Sequence, residues 1–262
     1  MTVKEVFDYL EREVAPVKLS DDFCAQFKMY DNSGIIINCG NEVSGALFTL
    51  DLTEKAVSKA AELGYNLIVT HHPAIYGGIS KFALTANPQA RAIAECLKKG
   101  ISVISMHLNF DAAPNGIDYY LMCGLGGKNG KCAANPHGGG YGRVYETEPL
   151  ALSELANKVA ERFGTQRALV YGDENKKISK IASFCGAGCD EYNISFAAKN
   201  GVDAFVSSDM KHHEILALTG MGIAVIVLTH YASENYGMHQ IYLKIKDGLK
   251  TPSTYFTDKE LL

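Results

Sequence analysis

Histidines are concentrated in four short segments of the sequence, each directly after an apolar run that predicts a β-strand. Six of the 8 His lie in the segments His71-His72-Pro73, His107–Asp111, Asp209–Glu214 and His230–Glu234. Because ligands of open parallel sheets bind beyond the carboxyl ends of the strands, we expect the four segments to meet at one crevice. Imidazole combined with carboxylate, and without thiolate, suits Zn, Mn, Fe, Co or Ni. The pattern therefore predicts a metal site.

The number of donors in these segments favours two metal ions over one. Three or four His together with two carboxylates exceed the four ligands of a tetrahedral ion. A carboxylate that bridges two ions about 3.5–4 Å apart would use the surplus, and Asp111 and Glu234 are the candidates. A helix that begins at His230 would bring His230 and Glu234 onto one face. His107 is either a ligand or a group that orients Asp111.

The roles of the other histidines and of a glycine-rich run are less constrained. His212 and His213 could be ligands, proton-transfer groups or caps at a strand end, and their spacing leaves all three open. His137 and His239 lie outside the four segments, and we expect ordinary structural roles for both. The run from Gly138 to Gly142 lacks the GxxxxGK[ST] pattern of a phosphate-binding loop and precedes a strand pattern. It predicts a turn that needs positive φ.

The elements that would position these segments alternate between helix and strand, as in α/β proteins. The N-terminal helix has a capping-box pair, Thr2 and Glu5. Apolar and amphipathic patterns predict strands at 67–70, 101–105, 204–207 and 223–228, and further helices at 53–63, 89–99, 153–163 and 190–201. The segment 185–189 (CGAGC) follows a strand pattern and opens the helix at Asp190, which resembles an anion-binding turn.

The domain organisation follows from the glycine-rich segment 123–142, which has no hydrophobic period and predicts a boundary or a long functional loop. We predict two α/β domains, 1–125 and 126–262, and allow the C-terminal part to pack back on the first. Each domain would contain a mixed or parallel sheet flanked by helices. The metal site would lie at the carboxyl ends of the strands, between the domains.

Composition excludes several classes of protein. The 262 residues carry a formal net charge of −4 and no cluster of Lys and Arg, so we expect no nucleic-acid partner. No apolar run approaches the roughly 18 residues of a membrane span, and the first residues are charged, unlike a signal peptide. The 7 Cys are scattered without CxxC spacing. We therefore expect reduced thiols and a cytoplasmic location.

Taken together, these motifs resemble the interacting-factor-3-like family, whose members are also called GTP cyclohydrolase 1 type 2 homologues. The resemblance spans nearly the whole chain, from Asp31-Asn32-Ser33-Gly34 and Leu50-Asp51-Leu52-Thr53 to the histidine segments, and it includes Gly140-Tyr141-Gly142-Arg143. It implies two α/β domains and a homo-oligomer, a toroidal hexamer with metal centres that face an internal cavity.

The resemblance also implies roles for particular residues. Five would be ligands of two divalent ions: His71, His72, Asp111, His230 and Glu234. His107, Asp209, His212 and His213 would line the site without necessarily coordinating, with His107 and Asp209 next to the ligands.

The function favoured by these inferences is a metal-dependent hydrolase. Two ions would generate a bridging hydroxide that attacks a C–N bond and would stabilise the charge that develops. His212 or His213 would give the proton to the leaving nitrogen. The substrate would be a small molecule, a nucleotide or an amide, and the family name implies a purine nucleotide such as GTP. The alternative is a non-catalytic metal chaperone or regulatory scaffold.

Overall fold

The computed structural model describes residues 1–40, 42–79, 81–135, 138–166 and 168–262. The prediction for His137 lies outside these residues. In chain order the helices are α1 (Val3–Glu13), α2 (Lys18–Phe27), α3 (Glu54–Glu62), α4 (Pro88–Lys99), α5 (Leu108–Ala112), α6 (Ile117–Gly124), α7 (Leu152–Phe163), α8 (Glu191–Lys199), α9 (His212–Gly220) and α10 (His230–Ile245). The strands are β1 (Gly34–Ile37), β2 (Ala46–Thr49), β3 (Leu67–Thr70), β4 (Ser102–Ser105), β5 (Lys131–Ala134), β6 (Tyr141–Ala151), β7 (Leu169–Tyr171), β8 (Lys177–Ser183), β9 (Ala204–Ser207), β10 (Ala224–Val227) and β11 (Ser253–Tyr255).

The chain forms two compact units. The first contains residues 1–110 and 238–258, and the second contains residues 111–237 and 259–262. The compact units change at residue 110, whereas the sequence places the domain boundary at 125. Helix α6 accounts for the difference, because it packs against β6 and β8 of the second unit. Among the described helices, none is long and apolar enough to cross a membrane.

The first unit is built on a sheet with the strand order β1-β4-β3-β2-β11. Strands β4, β3, β2 and β11 run parallel, and β1 is antiparallel to β4. Every residue of β3 and β4 is buried, as expected of central parallel strands. Thr70 is paired with Ser105, so the two strands end level with each other. The segments that follow β3 and β4 therefore begin side by side.

Local sequence signals explain the helices that cover this sheet. The Thr2 hydroxyl accepts a hydrogen bond from the Glu5 N–H, and the Glu5 carboxylate accepts one from the Thr2 N–H, which confirms the capping box. Thr53 caps α3 in the same way through the Ala56 N–H. Helix α4 ends at Gly100, whose φ of 65° provides the left-handed cap.

The second unit is built on a sheet with the strand order β5-β6-β8-β9-β10-β7. Strands β8, β9 and β10 are parallel, and the other pairs are antiparallel. Phe184 and Phe205 stack in its core, with ring centroids 5.1 Å apart. Ser207 at the end of β9 is paired with Val227 at the end of β10. As in the first unit, the polar segments after two parallel strands begin at the same edge.

The structure confirms the predicted fold class of two α/β units with mixed sheets flanked by helices. Helix α10 begins at His230, so His230 and Glu234 share one face, as predicted. The glycine-rich segment is more regular than a loop, because β5 forms within it and pairs with β6. The turn predicted at its end is present, with positive φ at Gly138 and Gly142.

Gly142 provides a test of how tightly the second core is packed. Its φ is +64°, and a Cβ there would lie 1.9 Å from Cε1 of Phe184. We expect Gly142→Ala to lower the free energy of unfolding by about 2 to 4 kcal/mol, through strain and overpacking together. Gly201 is the matched control, because its φ is +62° and a Cβ there meets no atom within 4 Å. Gly201→Ala should cost only about 1 kcal/mol in denaturant unfolding, and equal losses would contradict this account.

Candidate metal centre

Three imidazole rings lie together in the first unit, directly after the level ends of β3 and β4. We call His71, His72 and His107 the imidazole cluster. One ring nitrogen of each lies within 4.8 Å of the others. The ring centroids are 4.9 Å apart for His71 and His72 and 5.1 Å apart for His71 and His107. Three nitrogen donors at this separation can bind one ion.

The Nδ1 atom of each ring in the imidazole cluster is held by an oxygen. His71 Nδ1 lies 3.0 Å from the carbonyl oxygen of Met106. His72 Nδ1 lies 2.7 Å from Asp51, and His107 Nδ1 lies 2.7 Å from Asp31. Carbonyl and carboxylate oxygens only accept hydrogen bonds, so each Nδ1 carries the proton and donates it. The Nε2 lone pair of each neutral ring is then the atom that can bind a metal.

The carboxylate that holds His107 is itself fixed by the motif in which it lies. Ser33 Oγ donates to Asp31 Oδ2 at 2.6 Å and accepts the backbone N–H of His107 at 2.9 Å. Burial raises the pKa of Asp31. Hydrogen bonds from His107, Ser33 and Ser20 outweigh burial and lower the pKa of Asp31 to about 2. Asp31 is therefore ionised at neutral pH and holds the ring in one orientation.

The turn that carries His71 and His72 is fixed by two buried hydroxyl groups. Thr70 Oγ1 lies 2.8 Å from both the carbonyl oxygen of His72 and Ser105 Oγ. Ser105 Oγ also accepts the N–H of Ala74 at 3.0 Å. Both hydroxyls are inaccessible to solvent. The strand register therefore determines where the two rings lie.

A second group of donors lies in the second unit, and we call Asp111, His230 and Glu234 the carboxylate cluster. His230 Nε2 lies 3.1 Å from Glu234 Oε2, one helical turn away on α10. An oxygen of Asp111 lies within 4.8 Å of an oxygen of Glu234. His230 Nδ1 donates to Asp209 at 2.6 Å. This imidazole is therefore oriented by the same device as those of the first unit, with its Nε2 towards the carboxylates.

The Cys185–Gly186 turn, which follows β8, contacts both carboxylates of this cluster. Cys185 Sγ donates to Asp111 Oδ1 at 3.3 Å. Burial, the largest effect, and the charges of Asp111 and Asp118 raise the pKa of the Cys185 thiol well above its ordinary value, so the thiol is protonated. Gly186 has a φ of +59°, and a Cβ there would lie 2.2 Å from Glu234 Oε1. Only glycine leaves this carboxylate in place.

The motif Gly140–Arg143, at the start of β6, supports this turn. Tyr141 donates its hydroxyl to the carbonyl oxygen of Cys185 at 2.8 Å. Burial raises the pKa of Tyr141 well above its ordinary value, which keeps the phenol a donor. Arg143 forms a buried ion pair with Asp118, whose other oxygen accepts the N–H of Cys185 at 3.2 Å. The motif therefore holds the backbone of the turn from both sides.

The donor chemistry of both clusters fits divalent transition-metal ions. Imidazole nitrogen and carboxylate oxygen are the donors such ions accept, and the rings are already in the tautomer that binds through Nε2. Asp111 and Glu234 are 5% and 2% exposed. Two buried carboxylates this close repel each other when both are ionised, and a bound cation would offset the repulsion.

Comparison with known proteins assigns the chain to a family. The Duf34/NIF3 (NGG1p interacting factor 3) family matches residues 1–259. The chain belongs to this family. A relative from Clostridium acetobutylicum, named GTP cyclohydrolase 1 type 2 homolog, is 32% identical over 89% of this chain and 85% of its own. The NIF3 homolog protein of Schizosaccharomyces pombe is 30% identical over 78% of this chain and 77% of its own.

Solved structures support the fold of this NIF3-family chain. A crystal structure of a hypothetical protein from Staphylococcus aureus matches 99% of this chain and 97% of its own with a TM-score of 0.84. Its sequence identity to this chain is 23%, so the likeness concerns the fold alone.

Other residues singled out in the sequence lie in different settings. Asp209 holds His230 and has a φ of +49°, a strained backbone conformation that recurs at functional sites. His212 and His213 are exposed in the first turn of α9, and neither is among the clustered donors of the described residues. His239 stacks on Tyr255, with ring centroids 4.6 Å apart, which agrees with a structural role.

The sequence assigns no role to several residues that contact the two clusters. Asp51 follows the end of β2. The expectation that site residues lie beyond the carboxyl ends of parallel strands therefore applies to Asp51 as well as to the histidines. Asp31 and Ser33 belong to the Asp31–Gly34 motif, but the hydrogen bonds that join them to His107 connect segments far apart in the chain. The sequence predicts a turn at Cys185, but nothing in it indicates the contact with Asp111.

The carboxylates that hold Nδ1 atoms provide a test of the two clusters. Asp51→Ala and Asp209→Ala should each weaken zinc binding about 10- to 100-fold, because the ring loses the group that fixes its tautomer and orientation. Both side chains are partly exposed, at 34% and 55%, so the fold should be retained. The affinity can be measured by competition with a chromophoric chelator.

Asp8→Ala is the matched control for these variants, because it removes an exposed carboxylate that pairs with Lys4 and belongs to neither cluster. It should bind zinc as the unmodified protein does. Unchanged affinity in both Asp51→Ala and Asp209→Ala would show that these carboxylates do not orient ligands.

Proposed function

We propose that this protein binds two divalent transition-metal ions (Zn, Fe, Mn, Co or Ni) and acts as a metal-dependent hydrolase on a C–N bond. The proposed ligands are His71 and His72 of the first unit and Asp111, His230 and Glu234 of the second. The observation that carries the proposal is the hydrogen bonding of the imidazoles, each of which donates Nδ1–H to an acceptor and keeps Nε2 for a ligand bond.

The number and burial of the donors support two ions. Five proposed ligands exceed the requirement of one tetrahedral ion, and a carboxylate can bridge two. His107 also donates its Nδ1–H to an oxygen, as His71 and His72 do. It is therefore a further candidate ligand or a neighbour of the ligands. Asp111 and Glu234, buried within 4.8 Å of each other, are the proposed bridging groups.

The solvent exposure of two proposed ligands supports a catalytic role for the bound ions. Bound ions would supply Lewis acidity, which lowers the pKa of water and stabilises developing negative charge. The side chains of His72 and His230 are 24% and 33% exposed, so a small molecule can reach them. Asp51 would keep the His72 ring oriented, and Asp209 would keep the His230 ring oriented, while a substrate binds.

Proton donation remains a separate part of the proposal. His212 and His213 are exposed, and His213 Nε2 lies 4.0 Å from Glu214. An imidazole that a substrate can reach is able to protonate a leaving nitrogen. We keep His212 and His213 as the candidate acids for this step.

The substrate class comes from the relatives. The name GTP cyclohydrolase 1 type 2 homolog belongs to the Clostridium acetobutylicum protein. We extend it to this chain only as a proposal that the substrate is a small molecule, a nucleotide or an amide, with a hydrolysable C–N bond. We further propose a homo-oligomer, by resemblance a hexamer, in the cytoplasm.

A non-catalytic metal chaperone or scaffold is the second candidate. The observation that favours it is the exposure of His72 and His230, which would let an acceptor protein approach bound ions as readily as a substrate. A hydrolase would keep its ions and convert a substrate, whereas a chaperone would transfer the ion to another protein.

Metal content tests the proposed ligands. The purified protein, loaded and dialysed, should hold about two ions per chain by plasma mass spectrometry, as a dinuclear centre requires. Asp111→Ala and Glu234→Ala should each lose one or both ions and keep the far-ultraviolet circular dichroism of the parent. Metal content that survives both substitutions would refute the ligand set, and one ion or none in the parent would refute the dinuclear centre.

Turnover tests the hydrolase. A panel of nucleotides and amides should include a compound whose hydrolysis needs added metal and is lost in His72→Ala. His212→Ala or His213→Ala should lower kcat about 100-fold or more while metal content stays at two ions, because only the proton donor is removed. If no compound reacts and metal passes instead to apo-acceptor proteins, the chaperone function replaces the hydrolase.

A further inference from the structure

We infer that the Cys185–Gly186 turn is a positioning element that fixes the carboxylates of Asp111 and Glu234 for metal binding. The inference rests on the proposed function, in which these two carboxylates are ligands. It assigns to Cys185 an indirect role, in which the thiol acts through Asp111 and does not itself bind metal.

The first observation is the contact between the thiol and Asp111. Cys185 is 1% exposed, and its Sγ lies 3.3 Å from Asp111 Oδ1. An S–H group is a weak donor, so this hydrogen bond directs one carboxylate oxygen without competing strongly with a cation for its charge. One oxygen of Asp111 is thereby held in a fixed direction.

The second observation is the cradle that Gly186 provides for Glu234. A Cβ on Gly186 would lie 2.2 Å from Glu234 Oε1 and 3.4 Å from His230 Nε2. The missing side chain therefore leaves the space in which the Glu234 carboxylate lies, beside the imidazole nitrogen. Adjacent residues of one turn thus contact the two carboxylates, so the turn determines the distance between them.

The third observation is that both peptide groups of Gly186 form hydrogen bonds with serine side chains. Each serine directly precedes a residue of the site. The Gly186 N–H donates to Ser233 Oγ at 3.2 Å, and Ser233 directly precedes Glu234. The Gly186 carbonyl accepts Ser208 Oγ at 2.6 Å, and Ser208 directly precedes Asp209. Both serines are inaccessible to solvent. Because the turn is held this firmly, it can hold the carboxylates.

The experiment compares metal affinity in cysteine variants of the full chain. Cys185→Ala removes the donor, and Cys185→Ser retains a hydroxyl donor at the same position. Cys96→Ala is the matched control, because Cys96 is equally buried but lies in the apolar core of the first unit. Zinc affinity is measured by chelator competition, the absorption spectrum is recorded with cobalt(II), and metal-free thermal unfolding establishes that each variant is folded.

A positioning role predicts a graded result. Cys185→Ala should lose about 10- to 100-fold in affinity for at least one ion, as removal of groups that orient ligands does, and Cys185→Ser should recover most of the loss. Cys96→Ala should bind zinc as the parent does, although its melting temperature falls. The cobalt spectrum of the parent should lack a sulfur-to-metal charge-transfer band.

Other results would overturn the inference. Equal affinity in Cys185→Ala and the parent would show that the thiol does not position Asp111, and a sulfur-to-cobalt band would make Cys185 a ligand. If Cys185→Ala fails to fold, the zinc affinities of Cys185→Ser and Gly186→Ala test the positioning role instead. The former should bind nearly as the parent does, and the latter should bind more weakly because its Cβ displaces Glu234. A parent protein that binds no metal would instead refute the proposed function, and this inference with it.

Discussion

The hydrogen bond from an imidazole Nδ1 to an oxygen that can only accept is the interaction on which the candidate site depends. It occurs at His71, His72, His107 and His230, with a carbonyl in the first case and a carboxylate in the others. A neutral imidazole has one proton, so fixing it on Nδ1 makes Nε2 a base. Four rings with the same assignment offer four Nε2 atoms that could bind metal.

The strand register brings the polar segments that carry these rings close together within each unit. Thr70 is opposite Ser105 in the first sheet and Ser207 is opposite Val227 in the second, so the polar segments in each unit start at one level. The same register brings the hydroxyls of Thr70 and Ser105 together beneath the His71–His72 turn. The fold is thus itself part of the site, because the strands that form each core also set the spacing of the donors.

Much of this arrangement could be predicted from the sequence, because it depends on short-range patterns. Buried strands are visible as apolar runs, and the residues that follow them are visible as polar clusters, so the segments around His71 and His230 could be located. The roles of Asp31 and Cys185 could not be predicted, because each depends on a partner more than 70 positions away in the chain. The strand within the glycine-rich segment was missed because Lys131–Ala134 has no β-branched residue and gains its order from pairing with β6.

The most direct test of the central claim is anomalous X-ray diffraction from crystals grown with zinc, recorded on both sides of the zinc absorption edge. The account predicts difference peaks about 2.0–2.1 Å from Nε2 of His71, His72 and His230, with Nδ1 still bonded to its oxygen. Peaks bound to Nδ1, or peaks only at surface side chains remote from these rings, would contradict it.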